Sequence, residues 1–414
     1  AHPSLLSACF DLITSAMAVA PLVKNATKAM AVVCRFCDQS LAQHYSVIYD
    51  KFSPLLSKLP IAERGNIIEG LARLISKLQP ENAFKALQDI LNPINMELGT
   101  LLETRNPDIY DSVFSLLELL CSLSVACKFI FTEDTSNWDV LFRGEAESPH
   151  PLLRAFRPVW SQVLKAQELF SQSFEIAEVL TRLIKNTVLS SGAHMVVALQ
   201  NFCLVNLRSL QQFKHQTFII SGTVLFSPFK HDELLANPLV AKQLTEFLKN
   251  VTDVFLECIR LGVDALFVKG YYASLFKIFD RVPSVLFRSS VLNDSIKYAL
   301  YFIPITTHIG SLKDILRYIE CFFEPNKYFP DDSTRLAKEL GPMFVALFLN
   351  GVASTMTKAA AACTGNVLFT LKKNFPVEAR NWMQTALQKF NCPFADAQVK
   401  QKFLNSFGEH KTKK

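Results

Sequence analysis

Between Val240 and Cys258 the apolar residues fall at Val240, Leu244, Phe247, Leu248, Val251, Val254, Phe255 and Cys258. Intervals of three and four, repeated over five turns, place all of them on one side of a helix with 3.6 residues per turn. Ile67, Ile68, Leu71, Leu74, Ile75 and Leu78 repeat the pattern. From Val113 to Phe131 the stripe is wider, running through Leu116, Leu117, Leu120, Leu123 and Cys127. A helix apolar over so much of its surface needs neighbours on more than one side. No stretch sustains the period-two alternation of a sheet. Phe218 to Phe226 comes nearest and reads as a connection between helices. The pattern therefore predicts an all-α fold.

The punctuation shows how the helices are grouped. Asn106-Pro107-Asp108 and Asn237-Pro238 each offer a capping side chain followed by proline at the first helical position, where a missing N–H costs nothing. Gln79-Pro80-Glu81 and Asp331-Asp332-Ser333 also read as helix starts. Between such signals the helical segments pair: 24–38 with 41–58, 61–78 with 81–96, 107–131 with 150–170, and 174–190 with 193–213. Each pair takes about 40 residues, the period of HEAT or armadillo units, which bury their apolar faces by stacking. The predicted fold is an α-α superhelix, a HEAT-repeat solenoid. It is predicted as a single arch over residues 1–414, with an acidic inter-helix loop at 132–149 and a short basic tail at 408–414.

Composition supports this. A chain of 414 residues exceeds the ~250–300 at which one compact core stops growing. Glycine, 13 in number, is far too scarce for many tight strand turns, and 34 phenylalanines supply core. The uncharged run Leu340 to Thr357 is interrupted by Gly341, Pro342, Asn350 and Gly351. Its apolar part falls short of the ~20 residues of a membrane span, so a buried core helix is expected, with no membrane insertion. The cysteines sit mostly in apolar runs (Cys121, Cys127, Cys203, Cys258, Cys321) without framework spacing, as buried free thiols in a reducing compartment do. A net charge of +6 with no basic stripe argues against direct nucleic-acid binding. Lys400, Lys402, Lys411, Lys413 and Lys414 read as a solvated tail. The chain opens without methionine inside an apolar pattern (Leu5, Leu6, Cys9, Phe10, Ile13), as the C-terminal portion of something longer would.

The residues that carry chemistry do not gather. No histidine lies within five residues of another, so a two-histidine metal helix is missing. Cys34 and Cys37 form a C-x-x-C with no second ligand pair and no preceding strand, and core packing explains them. The glycines form no nucleotide-binding fingerprint, phosphate loop or nucleophile elbow. The reading is of a binding scaffold, not an enzyme, with no cofactor or metal.

The segment Lys24 to Leu59, KNATKAMAVVCRFCDQSLAQHYSVIYDKFSPLLSKL, resembles the karyopherin-β (importin-β) superfamily, in the branch of transportin-SR and importin thirteen. The resemblance lies in Lys28-Ala29, the paired Cys34 and Cys37, and Ala42-Gln43-His44-Tyr45 opening the next helix. His150-Pro151 with Trp160 look like the entry to a later repeat of that branch, and Asn366 to Gln388 resembles its last repeats, with Trp382 as marker. The resemblance implies a nuclear transport receptor that binds protein cargo under control of the GTPase Ran and shuttles between nucleus and cytoplasm. It further implies that nucleoporin Phe-Gly repeats are partners, and that the main Ran site lies in N-terminal repeats not included here. The stretch Phe174 to Ser191, which corresponds to an arginine-rich helix of transportin-SR, has only Arg182 and Lys185 as basic residues. About five turns with a single guanidinium do not suit phosphorylated Arg-Ser cargo, which needs clustered bidentate arginine contacts. The alternative is another HEAT-repeat scaffold, of phosphatase regulatory subunit or coat adaptor type.

Four residues are candidate partner contacts. Arg182 and Lys185 are expected on a concave helix. Asp134 and Asp139 belong to the stretch Thr132 to Pro149, where Glu133, Glu145 and Glu147 add to them against a single Arg143. Such a loop suits a basic partner.

Overall fold

A computed structural model describes residues 3–104, 107–129, 138–262, 264–354, 356–390 and 395–408. Every regular element among them is helical. Chain contacts divide into two compact units, residues 1–214 with 224–247, and residues 215–223 with 248–414.

The first unit holds α1 (Pro3–Met17), α2 (Val23–Phe36), α3 (Asp38–Leu41), α4 (Tyr45–Leu56), α5 (Ile61–Ile75), α6 (Pro80–Thr104), α7 (Tyr110–Ala126), α8 (Trp138–Arg143), α9 (Pro151–Phe156), α10 (Val159–Leu169), α11 (Phe174–Ser191) and α12 (Leu199–Phe213). Helices α2, α5, α7 and α11 lie side by side, each against the next, and α6 packs on α9 and α10 in a second row. The wide apolar stripe of α7 is accounted for, because Leu116, Leu117, Leu119, Leu120 and Leu123 are all buried between α5 and α11.

The repeat period is visible in the polar links between neighbouring pairs. The Tyr45 hydroxyl donates to the carbonyl of Ala86 at 3.5 Å, the Tyr49 hydroxyl to that of Asp89 at 3.2 Å, and Gln212 to Gln172 at 2.8 Å, separations of 41, 40 and 40 residues. Between α7 and α11 the separation grows. Asn186 donates to the Cys121 carbonyl at 3.4 Å and Ser190 to the Ser124 carbonyl at 2.6 Å, 65 and 66 residues apart. The excess is the insertion after α7. It was expected to be loop throughout, but it contains helix α8, whose Trp138 is fully buried and meets the Phe229 ring edge-on at 5.1 Å. A large aromatic that can be buried nucleates a helical turn that charge patterning alone does not announce.

The second unit begins with α13 (Gln216–Thr223). Helix α14 (His231–Leu235) belongs to the first unit, and α15 (Pro238–Leu261) contains the division. The second unit continues with α16 (Ala265–Arg281), α17 (Pro283–Phe287), α18 (Val291–Ile305), α19 (Ile309–Glu320), α20 (Pro330–Ser354), α21 (Lys358–Asn374), α22 (Pro376–Lys389) and α23 (Ala397–Gly408). Helices α13, α16, α19 and α21 form one row, and α18, α20 and α22 another. The stretch expected to connect helices at 218–226 is thus itself helical, as α13 and a 3-10 turn at Val224–Phe226. Its closely spaced apolar residues are used: Phe218, Ile219, Leu225 and Phe226 are all buried. Links here span 46 to 51 residues, as from Ser311 to the Ala265 carbonyl at 2.6 Å and from Thr370 to Glu320 at 2.5 Å. The period is longer because α17 and the 25-residue α20 add length between rows.

Aromatic rings fill this second core. Phe255 stacks on Tyr271 with centroids 3.8 Å apart, and Tyr272 leans on Tyr318 at 5.7 Å. Burying tyrosine hydroxyls is costly unless each has a partner, and each has one. Tyr271 meets the Thr252 hydroxyl at 3.0 Å, Tyr272 donates to the Ser295 carbonyl at 3.1 Å, and Tyr318 meets the Ser295 hydroxyl at 2.6 Å.

Two described stretches, Phe174–Phe213 and Pro330–Ala353, are long and apolar enough by length and composition to cross a bilayer. In the first, 67% of the most apolar window is covered by neighbouring protein, and in the second 50%. Helix α20 runs unbroken through Gly341 and Pro342 and buries Leu336, Leu340, Phe344 and Val345.

Candidate functional site

Helix α11 presents Arg182 and Lys185. Its start is fixed by Ser173, whose hydroxyl accepts the Ile176 N–H at 3.1 Å, and it ends at Gly192 with φ +56°. Ile176, Val179, Leu180, Leu183, Ile184 and Val188 face the core, which turns Arg182 and Lys185, one turn apart, outward. Arg182 pairs with Glu118 of α7. Both side chains are partly exposed, so the pair contributes only about 0.2–1 kcal/mol, and Arg182 remains open to another carboxylate. Lys185 is exposed and makes no ion pair.

Asp139 has different surroundings. Its two carboxylate oxygens accept the N–H groups of Leu239 and Val240, each at 3.2 Å, at the start of α15. Its own N–H donates to the Asn237 side chain at 3.2 Å. The sequence offered Asn237 as the local cap of this helix. Instead the Asn237 amide donates to the Glu233 carbonyl at 2.9 Å, and the capping carboxylate comes from about a hundred residues earlier. A negative charge at a helix N-terminus satisfies orphan donors and opposes the helix dipole. Asp134 lies outside the described residues. Asp139 and the Arg182–Lys185 pair therefore sit on different elements, α8 and α11.

Two histidines that the sequence scatters are brought together. His150 and His194, both buried, have ring centroids 5.9 Å apart, and Phe129 meets the His150 ring edge-on at 5.2 Å. Burial, reinforced by His194, pushes the His150 pKa down to about 3. No signal of spacing could have found this pair, because 44 positions separate its members and stacking of the elements that carry them makes the contact. Among the described residues no group of three or more His, Cys, Asp or Glu side chains is placed to hold a metal.

Cys34 and Cys37 part company. Cys34 is fully buried, its Sγ is 3.7 Å from the Met30 sulfur, and burial pushes its thiol up to about 12. Cys37, expected to share that packed face, lies past the end of α2 and is exposed.

A cavity of about 410 Å³ opens where α10 and α12 end and α11 begins. Phe170, Ile176 and Phe213 form its apolar wall. Among its polar groups, Gln167 donates to the Ser209 hydroxyl at 3.1 Å, and Arg208 pairs with Glu168 at 3.3 Å. Such a site can hold a side chain, but no nucleophile stands beside a base in it.

Within each unit, stacked helix pairs linked at a recurring interval define an all-α, HEAT-type helical-repeat protein. No family model matches the chain. It is 21% identical over 97% of its length to Importin-13 of Mus musculus, and likewise to Importin-13 of Homo sapiens, in each case covering 42% of the relative. A solved structure described as Importin13 in a cytosolic state superposes with a TM-score of 0.77 over 97% of this chain, at 14% identity, and shares the fold. The chain thus spans less than half the length of these relatives. In sequence and in fold it is importin-13-like.

Proposed function

We propose that this chain is the cargo-binding portion of a nuclear transport receptor that shuttles between nucleus and cytoplasm. The observation that carries the reading is the alignment with Importin-13 over 97% of the chain, joined to a fold match over the same extent. Protein cargo is the principal partner, Ran in its GTP state the regulator, and nucleoporin Phe-Gly repeats the contact that permits passage. A row of repeats that touch only their neighbours flexes readily and offers a long surface for many modest contacts, which suits reversible loading.

Arg182 and Lys185 are the proposed contacts for carboxylates of a partner, and Asp134 and Asp139 for its basic side chains. Asp139 would serve with the lone pairs left free by its two N–H bonds. The test is a pull-down by the full-length protein with Ran locked in its GTP or GDP state. Binding to the GTP form alone, with cargo displaced, supports the reading. Nucleotide-independent behaviour overturns it in favour of a phosphatase-subunit or coat-adaptor type of scaffold. Charge reversal at Arg182 and Lys185 together should weaken cargo binding in a salt-sensitive way.

A further inference from the structure

The chain's positive charge is concentrated at one end. Residues 356–414 carry ten Lys and Arg against three Asp and Glu, a net of +7, whereas residues 1–355 carry 33 against 34, a net of −1. In the described part of that segment Lys358, Lys373, Arg380, Lys389 and Lys402 are exposed and make no ion pair.

These cations alternate with exposed apolar side chains. On α21, Phe369 is 58% exposed and Lys373 follows one turn later. On α22, Val377 is 68% exposed and Arg380 follows. On α23, Val399 is 50% exposed and Lys402 follows. Residues three and four apart share a helix face, so each helix presents an apolar group beside a free cation. The three helices pack in sequence, α21 on α22 and α22 on α23, and the Lys372 ammonium lies 5.4 Å over the Phe407 ring to join α21 to α23.

We propose that α21, α22 and α23 form a docking surface for an acidic segment of a partner protein in which carboxylates alternate with leucine- or phenylalanine-like side chains. Charge complementarity selects an anion, and the interleaved apolar groups select a polypeptide. Nine of the ten cations are lysines, without the planar fork that reads phosphates bidentately, and Val377 and Val399 have nothing to gain from a nucleic-acid backbone. A lipid surface fits less well, because α23 leaves only part of its apolar side open: Val399 and Phe403 are exposed, but Leu404 is buried and Phe407 lies beneath Lys372.

The test is fluorescence anisotropy of a labelled synthetic peptide, glutamate alternating with leucine and phenylalanine, against the whole chain. The peptide should bind at low ionic strength and weaken as salt screens the exposed charges. Lys373→Glu with Lys402→Glu should weaken it about tenfold, and Phe369→Ser should weaken it with the salt dependence unchanged. Because all three positions are exposed, the melting temperature should hold. Lys24→Glu with Lys28→Glu, exposed cations of α2, should have no effect. Unchanged affinity in the reversed variant, or tighter binding of single-stranded RNA or phosphatidylserine vesicles than of the peptide, overturns the proposal. The readout needs no nucleotide, so it stands or falls independently of the Ran experiment.

Discussion

The indole of Trp382 lies directly over Gly341. A Cβ at position 341 would stand 2.1 Å from Cζ3 of that ring, so α20 and α22 approach at a point where only glycine fits. An aromatic ring has no flexible end to move aside, and overpacking of this kind typically costs about 1–3 kcal/mol. Gly341→Ala should therefore lower the denaturant midpoint, and adding Trp382→Leu should recover part of the loss. Equal destabilisation in the single and double variants would show that the contact is not the cause.

The same pair shows how far a sequence can be read. Gly341 and Pro342 break the apolar run, and Trp382 stands out in its segment. Both features were visible, but that they meet was not, since periodicity specifies which face of a helix is buried and not what lies across from it. The stripes of α5, α7 and α15 were legible because burial imposes the 3.6 period. Helix α8 was not, because six residues are too few to show a period and its acidic flank reads as solvent. Spacing puts Arg182 and Lys185 one turn apart on one helix, whereas the concave side expected of that helix came from the resemblance and leaves no trace in spacing. Asp139 could not be placed at the start of α15, because capping across a hundred residues leaves no local trace.

Proline 93 explains a second contact. It lacks the N–H that would bond the Asp89 carbonyl one turn earlier in α6, and the Tyr49 hydroxyl of α4 donates to that carbonyl instead, at 3.2 Å. Tyr49→Phe should destabilise the protein by about 1 kcal/mol. In a Pro93→Ala background the helix supplies its own donor, and the same substitution should then cost less. Chemical denaturation of the four members of this cycle gives the coupling directly, and a coupling near zero would dissociate Tyr49 from the proline.

The buried His150 makes stability depend on pH. Its folded pKa, about 3, is depressed from the ordinary value of 6.5, so between these values the unfolded chain takes up a proton that the folded chain does not. Stability then rises with pH wherever the unfolded state binds more protons. The contribution is intact above about 6.5 and is lost progressively as pH falls toward 3. Between pH 7 and pH 5 the loss should approach 2 kcal/mol. Urea denaturation of the wild type and of His150→Gln at the two pH values isolates the contribution of His150 together with its coupling to the adjacent His194 ring. Parallel pH dependences would refute the assignment.

Asp139 is the residue on which the structural and the binding readings make opposite forecasts. As the cap of α15, accepting from Leu239 and Val240, it should cost about 1–2 kcal/mol when replaced by alanine. Asp139→Asn, which keeps an acceptor and loses the charge, should cost less, the difference being the interaction of the carboxylate with the helix dipole. If the same carboxylate also meets a basic partner, Asp139→Asn should weaken that partner more than it weakens the fold, and the deficit should shrink as ionic strength rises. Thermal melts and partner titrations of the two variants separate these effects. A loss of binding that merely tracks the loss of stability would leave Asp139 as the anchor of α15 and nothing more.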